Sequence, residues 1–123
     1  MPKYTFVVMT NPVAGKDAEF NEWYNKNHIP DVLNVPGFVT AQRFRLADTQ
    51  MGGEASKAYK YLALYEIETD DLAGVLKELR SRGGTPEIVP SDAIDTKNVA
   101  TFVFTPAAEK VMAKDVRRPR RVA

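Results

Sequence analysis

Residues 19–31 read EFNEWYNKNHIPD and contain the only tryptophan and the only histidine of the chain. Their apolar side chains recur with the period of an α-helix. One face of the predicted helix carries, at i, i+3, i+4, i+7 and i+8, the side chains of Phe20, Trp23, Tyr24, Asn27 and His28. A stripe that begins with aromatic rings and ends with an imidazole is either a core face or the wall of a pocket, and the functional hypothesis depends on that choice.

His28 is the principal candidate catalytic residue. An imidazole has an ordinary pKa near neutrality, so it can accept or donate a proton at working pH. Tyr24 lies one turn earlier, where its hydroxyl can orient the imidazole or bind a ligand, and it is the second candidate catalytic residue. The structural alternative is that His28 caps the carbonyls at the helix C-terminus, where positive charge is favourable.

The composition excludes several classes of site. The chain has 123 residues, 44% of them hydrophobic and 27% charged, which is typical of one globular domain. It has no cysteine, and its carboxylates do not stand at ligand spacing from the histidine, so no disulfide and no metal site are predicted. No nucleotide-binding glycine motif occurs, and no cofactor is predicted. The apolar runs are too short to cross a bilayer and the N-terminus has no signal-peptide pattern, so we expect a cytoplasmic protein.

Positive charge is concentrated at the C-terminal end. Residues 107–123 carry six basic and two acidic side chains, whereas the whole chain has a net charge of +1. A basic tail can bind nucleic acid, but no aromatic side chain interleaves these basic residues. A solvated terminus explains the tail more simply, so a nucleic-acid partner is the least favoured hypothesis.

The hydrophobic pattern alternates between the periods of strands and helices. Strands are predicted at residues 4–9, 38–46, 59–67 and 99–105. The first helix is expected to begin with Asp17 as its N-cap and to end or break at Ile29, because the residue before Pro30 avoids the α region. In the second strand, side chains are expected to alternate between the two faces of the sheet. One face is predicted to carry Phe38, Thr40, Gln42, Phe44 and Leu46, and the opposite face Val39, Ala41, Arg43 and Arg45.

The second helix is expected to begin at Asp70 or Asp71, as an N-cap, and to end at Gly83-Gly84. A further short helix is predicted at residues 107–114, before the basic tail. The domain is therefore expected to cover residues 1–106, with residues 107–123 forming the short helix and the tail.

The order β-α-β-β-α-β predicts an α+β protein with the ferredoxin-like split βαβ fold. In that sandwich two helices cover one face of a four-stranded antiparallel sheet. The strands are nevertheless apolar on both faces, and a bare apolar sheet face marks an interaction surface. A homodimer in which two sheets pack face to face explains the pattern.

The order of elements and three short motifs resemble the EthD-like branch of the dimeric α/β-barrel superfamily. The motifs are FNEWY at residues 20–24, HIP at residues 28–30 and PGF at residues 36–38. The resemblance implies a homodimeric barrel that binds a small apolar, oxygenated compound, aromatic or polyketide-like. It also implies cofactor-free acid/base chemistry, such as that of a cyclase, isomerase or lyase, or a monooxygenase-like reaction.

Five further side chains are candidate substrate contacts: Trp23, Arg43, Tyr61, Tyr65 and Asn11. Arg43 can bind a carboxylate or an enolate, or be solvated on an edge strand. Tyr61 and Tyr65 share one face of their strand, where their hydroxyls can line a polar spot inside an apolar cavity, although packing in a dimer explains them almost as well. The chief alternative to an enzyme is a ligand-binding or stress-related dimeric barrel without catalysis.

Overall fold

The computed structural model describes residues 1–117 of the chain. The strands are β1 (Lys3–Thr10), β2 (Phe38–Arg45), β3 (Tyr61–Glu68) and β4 (Ala100–Phe104), and the helices are α1 (Asp17–Trp23), α2 (Ile29–Leu33) and α3 (Leu72–Arg82). The sheet order is β2-β3-β1-β4, and every neighbouring pair is antiparallel. This is the ferredoxin-like split βαβ arrangement, so the predicted fold class is confirmed.

The first helix was predicted to end or break at Ile29, and the structure shows an interruption of its regular geometry rather than an end. A π-helical turn, Tyr24–His28, joins α1 to α2, and the Ile29 N–H donates to the carbonyl of Tyr24. A proline ring inside an α-helix clashes with the carbonyl four residues earlier, and the wider π turn changes which carbonyl faces that ring. The extra residue in the turn also rotates Asn27 off the predicted stripe, and its side chain is exposed.

The start of α1 also differs from the prediction. Asp17 is the first residue of the helix rather than its N-cap, and the residue before it, Lys16, makes no capping hydrogen bond. The carboxylate of Asp17 nevertheless lies in the first turn, where it faces the positive end of the helix dipole. The predicted acidic side chain is therefore present at this end, one position further into the helix.

The bounds of α3 agree with the prediction. The Asp71 carboxylate accepts a hydrogen bond from the Gly74 N–H at 3.0 Å, which makes Asp71 the N-cap, and the helix ends at Gly83. Gly37 connects α2 to β2 with φ +104°, and a Cβ at this position would lie 2.7 Å from a methyl carbon of Val75. Only glycine therefore allows the connection between α2 and β2 to approach α3 so closely.

The face assignment in β2 is wrong at its first residue. A register irregularity against β3 lies between Phe38 and Thr40. Phe38 is buried in the core, and after the irregularity it is Ala41 and Arg43 that are partly buried while Thr40 and Gln42 are exposed. A bulge inserts one unpaired residue and so exchanges the two faces of a strand, which strict alternation does not anticipate.

The segment after β4 does not form the predicted helix at residues 107–114. Its regular structure within the described residues is one 3₁₀ turn, Ala113–Asp115, and the side chains from Phe104 to Arg117 are exposed. No amphipathic face here packs on the sheet, so nothing compensates a short helix for its ordering cost. The rest of the predicted basic tail, residues 118–123, lies outside the described residues.

The two faces of the sheet have different environments. The helices cover the face that bears Phe6, Ala63, Tyr65 and Ile67, all of them buried. The opposite face is bare, and Phe44, Phe102 and Phe104 are 39%, 48% and 56% exposed. Within residues 1–117, no helix is long and apolar enough to cross a membrane.

Candidate functional site

An apolar cavity of about 220 Å³ lies between the helices and the covered face of the sheet. Its carbon walls come from every layer of the fold, namely Phe6, Val8, Val32, Leu79 and Ile88. Three polar side chains also reach it: His28, Tyr65 and Thr101. A largely apolar cavity with few polar groups is the usual form of a small-molecule site.

The imidazole of His28 is held between two aromatic rings. Its ring stacks on Trp23 with centroids 4.7 Å apart and an angle of 30°, and it meets Tyr24 edge to face at 4.8 Å and 77°. The Nδ1 atom is buried and has no hydrogen-bond partner among the described residues. The π turn therefore delivers to the cavity an imidazole whose plane is fixed by packing.

Burial keeps the His28 imidazole neutral. Desolvation lowers the pKa of His28 from 6.5 to about 4, and the positive charge of Arg43 contributes in the same direction. The carboxylate of Asp31 opposes the shift but does not overcome it. At neutral pH the ring is therefore present in its basic form, in a place that disfavours an imidazolium ion.

The outer wall of the cavity is fastened to the helix on both sides of His28. The Trp23 Nε1–H donates to the carbonyl of Val89 at 2.8 Å, and the Val89 N–H donates to a carboxylate oxygen of Asp31 at 3.0 Å. The carbonyl and the N–H of Val89 are thus bound by the side chains of Trp23 and Asp31. This contact holds the neighbouring Ile88 against the cavity, and it was not predicted because residues 85–97 have no regular pattern.

Tyr65 supplies the second polar group of the cavity. Its side chain is 1% exposed, and among the described residues its hydroxyl has no hydrogen-bond partner. Burial raises the pKa of Tyr65, the neighbouring Tyr24 raises it further, and Arg43 opposes the shift only partly. The Tyr65 hydroxyl therefore keeps its proton, and the Tyr24 hydroxyl lies close enough to influence it without meeting the geometry of a hydrogen bond.

Tyr24 lies behind this site rather than in the cavity wall. It is 1% exposed, and burial raises the pKa of its hydroxyl despite opposing interactions with Tyr65, Arg43 and Thr10. Its ring edge supports the imidazole of His28. The contact between Tyr24 and His28 is thus one of ring packing.

Arg43 does not line the cavity and lies over the ring of Tyr24. Its guanidinium group is 4.3 Å from the centroid of the Tyr24 ring and donates to Asn25 Oδ1 at 2.8 Å and Asn21 Oδ1 at 2.9 Å. Tyr61 joins the same cluster, since its hydroxyl accepts a hydrogen bond from Asn21 Nδ2 at 3.0 Å. These contacts tie the edge strand β2 to α1 and to the π turn that follows it.

Asn11 contacts neither the cavity nor the Arg43 cluster. Its amide donates to the carbonyl of Ala58 at 2.9 Å, and its Oδ1 accepts from the Lys60 N–H at 2.8 Å. Both functional ends are therefore engaged by the main chain before β3. Of the candidate site residues, the structure brings His28 and Tyr65 into one cavity, places Trp23 and Tyr24 against the imidazole, and leaves the others elsewhere.

Thr101 is the polar cavity residue that sequence reasoning missed. It pairs with Val8 across β1 and β4 and so shares the covered face of the sheet. The alternation of β4 could have identified it, because Thr101 and Val103 lie on the face opposite to Phe102 and Phe104. Among the described residues no group of three or more His, Asp or Glu side chains is arranged to hold a metal ion.

Solved structures of other proteins share this fold. The heme-degrader MhuD from Mycobacterium tuberculosis matches with a TM-score of 0.58 and 14% identity, over 88% of this chain and 99% of that one. SnoaB, a cofactor-independent oxygenase from Streptomyces nogalater, matches with a TM-score of 0.52 and 18% identity, over 89% and 97% of the two chains. These likenesses confirm the predicted dimeric α/β-barrel class of fold and, at such identities, show the fold alone.

The remaining comparisons concern sequence. No curated protein matches the chain significantly. The family model described as a domain of unknown function, DUF4286, matches residues 3–74, from β1 through the start of α3. Because this model spans more than half of the chain and includes His28 and Tyr65, the chain belongs to the DUF4286 family.

Proposed function

We propose that this protein is a small-molecule enzyme of the EthD-like type that acts on an apolar, oxygenated compound by cofactor-free acid/base chemistry. A single observation carries the proposal. The two buried side-chain polar atoms that lack a hydrogen-bond partner among the described residues, His28 Nδ1 and the Tyr65 hydroxyl, belong to side chains of the same cavity.

The energetic cost of these two atoms favours a ligand. A buried polar group without a partner costs about 1–3 kcal/mol, and native structures contain few such groups. A compound with an oxygen function can supply the missing partners while its carbon body contacts the apolar walls. The volume of about 220 Å³ suits a molecule of one or two rings.

In the proposed reaction His28 acts as a general base. The neutral imidazole removes a proton from a carbon beside a carbonyl group, or from a phenol, and the electron pair moves onto the substrate oxygen. The Tyr65 hydroxyl donates a hydrogen bond to that oxygen as its negative charge develops. Burial in the empty cavity disfavours the imidazolium ion. The negative charge that develops on the substrate oxygen stabilises that ion, so the pKa of His28 rises as the proton is transferred.

The residues present do not fit a haem, although one structural neighbour degrades heme. The cavity is far smaller than a tetrapyrrole requires, and the His28 ring is enclosed by Trp23 and Tyr24. SnoaB, which is a cofactor-independent oxygenase, is the more relevant comparison for the chemistry proposed here.

We also propose that the protein is a homodimer formed by the bare sheet face. The exposed rings of Phe44, Phe102 and Phe104 are accompanied on that face by Val7 and Leu64. An apolar surface of this kind on a lone chain favours association. Packing two such sheets face to face buries these rings without disturbing the cavity, which lies on the other side of the sheet.

Proton exchange tests the enzymatic proposal directly. The probes are 2-tetralone and the smaller 2-indanone, two-ring ketones with acidic C–H bonds, incubated in D₂O and followed by ¹H NMR. We expect the wild type to accelerate exchange, His28→Gln to lose about 100-fold or more, and Tyr65→Phe to lose about tenfold. Tyr61→Phe is the matched control, because that hydroxyl lies on the same strand outside the cavity.

Two outcomes contradict the enzymatic proposal. If the ketones bind but the wild type and His28→Gln exchange protons equally slowly, the protein is a ligand-binding barrel without this chemistry. If neither ketone binds or exchanges, the cavity does not take compounds of this class. Melting temperatures of the variants separate a loss of chemistry from a loss of folding.

A further inference from the structure

A second cavity, also of about 220 Å³, lies beside the first, between α3 and the edge strand β4. The walls of the two cavities have three residues in common, Phe6, Leu79 and Thr101. The two spaces are therefore neighbours beneath α3. Leu79 and Thr101 line both spaces, and we infer that rotation of these two small or flexible side chains joins the spaces into one elongated site.

The outer end of this elongated space carries a positive charge. Arg80, from the exposed side of α3, is the one Lys or Arg side chain in the walls of either cavity as described. It forms no ion pair within residues 1–117, whereas Arg82 on the same helix contacts carboxylate oxygens of Glu78 at 3.1 Å and Glu87 at 3.4 Å. The guanidinium group of Arg80 is thus free to bind an anion at the cavity mouth.

The two ends of the space differ in charge as well as in exposure. The inner end presents the neutral imidazole of His28 and the neutral hydroxyl of Tyr65, and the outer end presents the cation of Arg80. Between them the walls are mainly carbon, including Leu76 and Val103. A ligand that matches this pattern has an uncharged oxygen at one end, an apolar body and an anionic group at the other end.

We propose that Arg80 is a specificity-determining residue and that the preferred substrate is an elongated aromatic or alicyclic carboxylate. Its carboxylate binds Arg80 at the mouth, and its carbonyl or phenol oxygen reaches His28 and Tyr65. This inference rests on the proposed function of the inner cavity, and it adds the charge and the orientation of the substrate. A planar guanidinium binds a carboxylate through two parallel hydrogen bonds, which fixes the direction in which the substrate enters.

The test compares two probes of nearly the same shape, one anionic and one neutral: 6-hydroxy-2-naphthoate and 6-hydroxy-2-naphthamide. Calorimetry gives Kd for the wild type, for Arg80→Gln and for Lys77→Gln. Lys77 is the matched control because it is an exposed cation on the same helix outside both cavities. The NMR signal of the His28 ring reports independently whether a probe occupies the inner cavity.

We expect the wild type to bind the naphthoate about three- to fivefold more tightly than the amide, the range of a partly exposed ion pair. Arg80→Gln should abolish that preference, and Lys77→Gln should retain most of it. A preference that survives in Arg80→Gln, or that is absent from the wild type, overturns the inference.

The failure of this inference and that of the proposed function are distinguishable. If the amide shifts the His28 signal and the naphthoate binds no better, the inner cavity is a ligand site but Arg80 does not select its substrate. If neither probe binds, the assignment of an anionic naphthalene-like substrate is wrong, while proton exchange with 2-tetralone still tests His28. Unchanged melting temperatures are expected for both surface variants, because neither side chain makes a described ion pair.

Discussion

The burial of His28 predicts a dependence of protein stability on pH that its replacement removes. In the folded chain the pKa of His28 is lowered to about 4, whereas the unfolded chain has the ordinary value of 6.5. Between these two values the unfolded state binds a proton that the folded state does not. Lowering the pH through this window therefore favours unfolding, and stability is fully retained only above about pH 6.5.

The magnitude follows from the two pKa values. The linkage relation gives a loss of about 2 kcal/mol by pH 5 relative to neutral pH, and the loss levels off at about 3 kcal/mol below pH 4. His28 is the only histidine in the chain, so between pH 5 and 7 no other side chain with an ordinary pKa in this range contributes. For a domain of this length, 2 kcal/mol corresponds to a fall in Tm of about 5–10 °C.

The measurement is urea unfolding of the wild type and of His28→Gln at about pH 7 and pH 5, at one fixed protein concentration since a dimer unfolds in a concentration-dependent way. We expect the wild type to lose about 2 kcal/mol more than the variant over this range. His28→Phe serves as a second non-titrating variant, which keeps the aromatic contacts with Trp23 and Tyr24. Equal pH dependence in all three proteins, or an NMR titration of the His28 ring near 6.5, refutes the buried neutral imidazole.

Three further predictions concern the fold and the wall of the cavity. Asp71→Ala should reduce the free energy of unfolding by about 1 kcal/mol through loss of the α3 N-cap, while Asp70→Ala, the control without a described capping bond, should have little effect in the same urea titration. Phe102→Glu should convert the proposed dimer into monomers in light scattering, and an unchanged molar mass contradicts the sheet-face interface. Trp23→Phe should speed hydrogen exchange of the Val89 amide several-fold by removing its neighbouring hydrogen bond, and an unchanged exchange rate shows that this wall is held by other contacts.

The fold was predictable because its determinants are local. Period-two and period-3.6 hydrophobic patterns, the Asp71 cap and the Gly83 stop each act within a few residues, and their order leaves few possible topologies. Two of the local departures from the prediction also have local causes. A π turn before Pro30 and a bulge after Phe38 each insert one residue, and periodicity alone does not reveal an inserted residue.

The candidate site was only partly predictable because its geometry depends on contacts distant in the chain. His28 was identified from its chemistry and its place at the end of an aromatic stripe, and Tyr65 from the face of its strand. Arg43 was a plausible anion contact by type, yet its guanidinium group is occupied by two asparagines and an aromatic ring. The contacts of Asn11 could not be foreseen for a similar reason, since the main-chain groups that bind it lie 47 and 49 residues away.

The properties of His28 are better explained by chemistry than by packing. A phenylalanine at this position would stack on Trp23 and meet Tyr24 in the same way, without a buried nitrogen that lacks a partner and without a loss of stability in mild acid. The helix-capping alternative is also disfavoured, because the helix continues through α2 beyond His28 and a neutral imidazole offers no charge to the helix dipole. What the imidazole gains from this position is a fixed ring plane, a basic form at neutral pH and a neighbouring phenol that keeps its proton. Because a pKa near 4 makes this imidazole a weak base in the empty cavity, proton removal depends on the substrate anion that forms beside the new imidazolium ion.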